Sequence, residues 1–298
     1  MGSSAFQFIF SILLFSGFNF YMRSQVSETT INNKKLKVFA LKSPNNLDFC
    51  GEKVPINFSD IQERLDRELL VNTYWQSNMM LLIKRANKWF PKIEEILNEE
   101  GVPDDFKYLA VIESGLENAR SPKRAKGFWQ LMPSTAKQFG LEVNSNVDER
   151  YHIEKSTRVA CRYLKEAKSK FGSWTLAAAS FNRGIYGIEK ELIRQKVKNY
   201  YDLLLNNETS RYVFRILAVK DILSNPTSYG YVYEKSDLYH STPVKIIDWD
   251  LPIQNIASFA KEQGINYKLL KIFNPWLIQN HLNINSRKMY EIQIPLID

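Results

Sequence analysis

The helical spacing of apolar residues along the middle of the chain constrains the fold most. Seven segments between residues 59 and 224 have apolar side chains three and four positions apart, and Pro, Gly or Asn residues separate them. A chain with this pattern packs helix against helix, so we expect a mainly α-helical body. The predicted helical segments are 59–87, 91–100, 104–114, 133–139, 154–171, 174–182 and 208–224.

The sequence on either side of this body has different patterns. Residues 25–52 are rich in Ser, Asn, Thr and Lys and have little periodicity, which is typical of a linker or a loosely packed arm. Beyond residue 240, a β-like run is followed by two helical stretches and an alternating run. This βααβ order predicts a small module at 240–298, separate from a helical domain at 53–235 whose core is 100–225.

An apolar, uncharged run occupies residues 6–21. It is shorter than a usual membrane span and fits the apolar core of a secretory signal, although no Lys or Arg precedes it. We therefore expect export to the periplasm or cell envelope, with residues 1–24 acting as a signal peptide or as an anchor that associates the protein with the membrane. A buried N-terminal helix is the alternative.

The net charge of the 298-residue chain is +8, which favours an anionic partner. The basic residues are spread along the chain without a zinc-finger, homeodomain or RRM signature, so nucleic acid is not an expected partner. Cys50 and Cys161 lie far apart, and the three His residues have no metal-ligand spacing. We expect neither a disulfide framework nor a metal or other cofactor.

Glu113 is the strongest candidate for a catalytic residue. It lies in the last turn of the predicted helix 104–114, which Gly115 is suited to end, and it shares a face with Leu109 and Ile112. Burial against apolar groups and the negative end of the helix dipole both raise the pKa of a carboxyl, as a general acid near neutral pH requires. A Glu at the rim of a packed helix is the alternative.

Three further clusters carry groups suited to a sugar. The loop 126–132 combines two aromatic rings with an amide and a thioether, and aromatic faces pack on a pyranose while amides bond its hydroxyl or N-acetyl groups. In the cluster 177–184, Asn182 lies where a helix ends and is either a site residue or a capping residue. In the third cluster, 208–213, the hydroxyl of Tyr212 could orient Glu113, or the ring could belong to the core.

These clusters, in this order, resemble the glycoside hydrolase family 23 lytic transglycosylases. The matching motifs are Glu-Ser at 113–114, GFWQLMPSTAKQFGL at 127–141, AAASFNRG at 177–184 and ETSRYV at 208–213. The resemblance extends from about Leu47 to Gly230, and the tail is similar to a diverged LysM module. It implies a lysozyme-like, all-helical catalytic domain followed by a wall-binding LysM-like module.

By this resemblance, Glu113 is the catalytic acid and base, and glycan strands of peptidoglycan are the substrate of a monomeric enzyme. Two positions depart from the family pattern: Phe181 replaces the usual Tyr, and Ser210 replaces the Arg of the usual Glu-Thr-Arg. The residues expected to line the glycan groove are Ser114, Gln130, Met132, Phe181, Asn182 and Tyr212.

The site clusters supply one candidate carboxylate, whereas glycosidases of the usual kind use two. A substrate-assisted reaction fits: Glu113 protonates the leaving oxygen while the muramyl N-acetyl group attacks C1, and Glu113 then takes the C6 hydroxyl proton as the 1,6-anhydro ring closes. One alternative is a lysozyme-like muramidase, in which water captures the intermediate. The other is a non-catalytic peptidoglycan-binding protein.

Overall fold

The computed structural model describes residues 38–44, 46–284 and 288–297. The apolar run at 6–21 and half of the expected linker lie outside these residues, so the predicted signal or anchor does too. Within the described part, no helix has both the length and the apolar character needed to cross a membrane.

The body of the protein is α-helical, as the periodicity predicts. α3 packs between α2 and α8 in the middle of the body, and α1 packs along α8. The residues with no exposed surface include Leu109 and Ala110 of α3, which fix this helix at the centre of the core. The helices are α1 (Ser59–Tyr74), α2 (Gln76–Glu99), α3 (Lys107–Ser114), α4 (Pro133–Gln138), α5 (Ile153–Phe171), α6 (Trp174–Arg183), α7 (Ile185–Gln195) and α8 (Asn207–Ser224).

Two helix boundaries differ from the predicted ones. The segment 59–87 is divided at Trp75, and α2 continues through Pro91, where the pattern predicted a boundary. Ile83 before Pro91 and Ile93 after it are both buried. Packing of this apolar face outweighs the intrahelical hydrogen bond that a proline removes.

The end of the expected linker is part of the core. Two short strands, β1 (Asp48–Phe49) and β2 (Glu52–Lys53), form a hairpin, and the fully buried Phe49 ring packs edge-on against Phe106 at 5.2 Å. The Glu52 carboxylate accepts hydrogen bonds from the backbone N–H groups of Trp174 (2.5 Å) and Thr175 (2.9 Å) at the start of α6. These residues are therefore not loosely packed, because the buried Phe49 ring anchors them. The sequence did not indicate this, since one buried aromatic ring leaves no periodic pattern.

The C-terminal module has the predicted βααβ order. Its strands β3 (Val244–Trp249) and β4 (Tyr290–Pro295) pair antiparallel, with Val244 opposite Pro295 and Trp249 opposite Tyr290. The helices α9 (Ile256–Glu262) and α10 (Tyr267–Phe273) lie between them in the chain. The module has its own core, which includes Ile256, Phe259, Leu270 and Ile292.

The module is docked on the helical body through the loop that precedes α5. The Asp148 N–H donates to the Trp276 carbonyl at 3.0 Å, and Val147 is buried in the core of the module. Lys288 reaches back from the module to Glu142 (2.5 Å) and Glu149 (3.1 Å). The loop thus belongs to both parts of the protein.

Candidate active site

Glu113 lies in the last turn of α3. Gly115 ends the helix in the left-handed conformation (φ 64°), and its N–H donates to the Val111 carbonyl at 2.8 Å. Leu109 and Ala110 are fully buried, whereas Ile112 and Glu113 are only partly buried. The predicted geometry is confirmed: a carboxylate at the C-terminus of a short helix that the core holds in place.

Tyr212 supplies the direct contact to this carboxylate. It lies on α8, its side chain is buried, and its hydroxyl donates a hydrogen bond to Oε1 of Glu113. The predicted orienting contact between Tyr212 and Glu113 is therefore present. A buried phenol has one rotatable proton to give, so this bond fixes the direction of the carboxylate.

The pKa of Glu113 is raised to about 7, and burial is the main cause. The hydrogen bond from Tyr212 and the positive charge of Arg215 act in the opposite direction, while the charge of Glu208 raises the pKa further. Near neutral pH the carboxyl is thus present in both protonation states, which suits a group that first gives and then takes a proton.

Sequence reasoning missed Arg215. Its Nη2 donates to the Ile112 carbonyl at 3.0 Å, so the guanidinium covers one of the free carbonyls at the end of α3. Arg215 follows Tyr212 by three residues on α8, and helical spacing would have placed both on the face toward Glu113.

Asn182 belongs to a small hydrogen-bond network and does not cap its helix. Its Nδ2 donates to Glu208 Oε1 at 3.1 Å, and its Oδ1 accepts from the Thr209 hydroxyl at 2.8 Å. The helix end is closed instead by Gly184, whose N–H donates to Ser180 at 2.6 Å. Glu208 is thereby paired with Asn182.

The loop 126–132 packs closely against the body, and its backbone approaches the Arg150 carbonyl at Gly127. Gly127 has φ 80°, and a Cβ on it would lie 2.0 Å from the Arg150 carbonyl oxygen. The expectation that the two aromatic rings of this loop form a sugar platform is wrong, because Phe128 and Trp129 are buried in the core. Trp129 donates from its indole N–H to Thr157 at 2.8 Å. Met132, in contrast, is 41% exposed.

The Gln130 side chain holds the loop together. Its Nε2 donates to the carbonyls of Gly127 (2.8 Å) and Ala119 (3.1 Å), while its own backbone has φ 44°. The amide nitrogen is thus committed to the protein. A contact of Gln130 with a glycan stays a prediction, and the side-chain amide oxygen is the atom that would make it.

Two more predicted site residues make local contacts. The Ser114 hydroxyl donates to the Ala110 carbonyl one turn earlier, at 3.2 Å. Phe181 is half-buried, and its ring packs edge-on against Tyr163 (5.3 Å) and Trp129 (6.3 Å). The glycan-binding roles of both residues remain predictions.

Among the described residues, no group of three or more His, Cys, Asp or Glu side chains could hold a metal ion. Both thiols are free: Cys161 is buried, and Cys50 is partly buried. The arrangement around Glu113 is that of a carboxyl fixed by a phenol, next to a polar network.

The chain is similar in sequence to known proteins. The membrane-bound lytic murein transglycosylases D of Escherichia coli strains K12 and O6:H1 are each 30% identical over 235 residues, covering 76% of this chain. This chain spans half the length of those relatives. The lytic transglycosylase Slt of Pseudomonas aeruginosa, solved as an inactive mutant, has 19% identity and a TM-score of 0.36, covering 51% of this chain and 26% of that one.

Two family profiles match separate parts of the chain. The transglycosylase SLT domain matches residues 91–204, which contain Glu113, the loop 126–132 and Asn182. The soluble lytic transglycosylase C-terminal LysM-like domain matches residues 245–297, which cover the βααβ module. The chain thus contains an SLT domain followed by a LysM-like domain.

Proposed function

We propose that the protein is a lytic transglycosylase that cleaves the MurNAc-β-1,4-GlcNAc bond of peptidoglycan without water and leaves 1,6-anhydro-MurNAc ends. The observation that carries the proposal is the Glu113 carboxyl, whose pKa burial raises to about 7 and whose direction the Tyr212 hydroxyl fixes. The SLT profile and the names of the E. coli relatives support this reaction.

In the first step, Glu113 gives its proton to the oxygen that leaves C1. Burial supports this step, since it keeps a fraction of the carboxyl protonated near neutral pH. The N-acetyl group of the muramyl residue attacks C1 from the other side, so the chain need not supply a second carboxylate as nucleophile. Ser114, Met132, Phe181 and the amide oxygen of Gln130 are the groups we assign to the glycan groove.

In the second step, the Glu113 carboxylate takes the proton of the C6 hydroxyl, and that oxygen attacks C1, displaces the acetamido oxygen bonded there and closes the anhydro ring. Tyr212 donates its hydrogen bond to the carboxylate and stabilises the charge between the two steps. Asn182 is held in place by Glu208 and Thr209. Its side-chain amide is a polar group beside the site whose charge does not change with pH.

The cell envelope is the expected place of action, because peptidoglycan is there. The apolar run at 6–21 serves in this proposal as the export signal or as a membrane anchor, and the enzyme works as a monomer. Fractionation of cells that express the full chain tests the location. Recovery of the protein in the cytoplasm alone would contradict it.

Mass spectrometry of purified peptidoglycan after digestion tests the reaction. We expect anhydro-muramyl products, each lighter by one water than the product of a muramidase. Glu113→Gln should lower the rate roughly 10²- to 10⁴-fold, because the amide cannot deliver a proton. The matched control is Glu63→Gln on the exposed face of α1. Products that carry the extra water would favour the hydrolase.

A further inference from the structure

A cavity of about 410 Å³ lies between the SLT domain and the LysM-like domain. Trp89 of α2 and Tyr151 line it on the side of the SLT domain, and Thr242 and Gln293 line it on the side of the LysM-like domain. Its volume is within the range of roughly 300 to 1,000 Å³ that is usual for ligand sites. We call this cavity the junction site.

The junction site continues toward the segment that follows α3. A second groove lies next to it and is lined by residues 116–119, which follow directly after the end of α3. The two share Trp89, Asn118 and Phe128 among their lining residues. A long ligand that leaves the Glu113 cleft over residues 116–119 would therefore reach the LysM-like domain.

Four acidic or basic groups of the junction site are paired with one another, and the fifth, Lys88, lies over the Trp89 ring at 4.7 Å. Lys92 lies 2.7 Å from Glu95, and Nδ1 of His152 lies 3.0 Å from Glu154. A strongly anionic ligand, such as the peptide stem of the wall with its carboxylates, would have to compete with Glu95 for Lys92. The pairing favours an uncharged ligand.

The other lining groups suit a sugar that carries N-acetyl groups. The rings of Trp89 and Tyr151 are partly exposed, and lysine ammonium groups lie over them at 4.7 Å and 5.1 Å. A pyranose would pack its apolar face on the part of each ring that the lysine leaves open. The amides of Asn118 and Gln293 and the hydroxyl of Thr242 can bond its hydroxyl and acetamido groups. Residues from both domains contribute, so neither domain forms the site alone.

We propose that the junction site binds uncharged N-acetylhexosamine units of a glycan strand that also occupies the Glu113 cleft. This inference rests on the proposed function, which supplies the glycan. The two domains then hold one strand at two points a fixed distance apart, and that distance sets how far from the bound units the strand is cleaved.

Fluorine NMR of the full chain labelled with 5-fluorotryptophan tests this proposal, with the β-1,4-linked N-acetylglucosamine hexamer as the probe. Glu113→Gln prevents turnover, and single Trp→Phe variants assign the six Trp signals. Trp89 reports the junction site, and Trp129, which packs on Phe181, reports the Glu113 cleft. Trp249 packs on Phe259 and reports that the LysM-like domain is folded.

We expect the Trp89 signal to shift saturably with the hexamer. Thr242→Tyr, which fills the junction site, should weaken the affinity read at Trp89 at least about tenfold. The matched control Thr227→Tyr, at an exposed position outside the site, should not. Asn118→Ala is a second variant, used if the Trp249 signal shows that Thr242→Tyr unfolds the module, and it should weaken the same binding.

A Trp89 signal that stays constant, or that shifts equally in the blocked variants, overturns the inference. Digestion of peptidoglycan by the wild type, run in parallel, separates this result from a failure of the proposed function. Anhydro products together with a constant Trp89 signal refute the junction site alone. A shift at Trp89 without anhydro products supports the junction site and refutes the proposed reaction.

Discussion

Burial and the Tyr212 hydroxyl act on the pKa of Glu113 in opposite directions. The acid step needs the protonated carboxyl, so the rate should fall as the pH rises through about 7. Tyr212 stabilises the ionised form, and its loss therefore raises the pKa. Both residues lie in the site, so their effects on turnover must be separated by the pH profile.

For Tyr212→Phe, we predict a lower kcat together with an alkaline limb of the kcat profile that moves to higher pH. A hydrogen bond to a charged group contributes about 1.5 to 3 kcal/mol, so the shift should be roughly one to two pH units. The control is Tyr231→Phe, which loses a hydrogen bond to the Thr73 carbonyl away from the site. A limb that moves to lower pH would contradict the assigned role.

For Phe181→Tyr, which restores the residue usual in the family, we predict a small effect on stability and a measurable change in kcat/KM. The ring is half-buried against Tyr163 and Trp129, so an added hydroxyl at the groove would reach water or sugar. Thermal unfolding should show a change below about 1 kcal/mol in the free energy of unfolding. A loss of roughly 2 kcal/mol or more would indicate a buried hydroxyl without a partner and a core position for this ring.

Single residues were predictable from sequence where local pattern determines them. Glu113 and Gly115 follow from helical spacing and from the conformation that ends a helix. The pairing of Asn182 with Glu208 joins two helices, and no local pattern encodes such a contact. The burial of Trp129 was missed for the same reason, since a ring that faces a groove and a ring that faces the core have the same local sequence.

The conformation of the loop 126–132 requires a glycine at position 127. For Gly127→Ala, we predict a loss of about 2 kcal/mol or more in the free energy of unfolding, because a Cβ would lie 2.0 Å from the Arg150 carbonyl oxygen and the φ of 80° is itself strained. Turnover should fall as well, since the loop carries Gln130 and Met132. Chemical denaturation and activity assays measure the two effects.

Gly140→Ala separates the effect of the close contact with the Arg150 carbonyl from the effect of the positive φ. Gly140 also has a positive φ (89°), but no heavy atom would lie within 4 Å of its Cβ. This variant should show only the smaller cost of the left-handed conformation. Equal losses in the two variants would mean that the Arg150 carbonyl moves aside.

Elements with a strong repeating pattern were predicted best. The helices α5, α6 and α8 and the βααβ module lie close to their expected bounds. α7 was not predicted, since only Ile188 among its residues is buried and the segment follows Gly184 directly. The division at Trp75 also escaped prediction, because the apolar period continues across it while the chain changes direction.

We predict that the tail from about residue 240 is a separable module. Deletion of 240–298 should spare the cleavage of short soluble glycans and weaken the binding to insoluble wall, which a sedimentation assay measures. The body keeps its own core, but Val147 and Glu149 lose their partners in the module. Tm should therefore fall. A truncated body that does not fold would show that the boundary at 240 is wrong.

The register of the module sheet has a consequence for the order of events during synthesis. Among the residues that the structure describes, β3 pairs only with β4, and the helices α9 and α10 are made between the two strands. The contacts within the helical body connect residues that leave the ribosome before the residues of the module do. The catalytic half can thus reach its fold first and offer the loop at Val147 as a preformed surface, on which the module completes its sheet as β4 arrives.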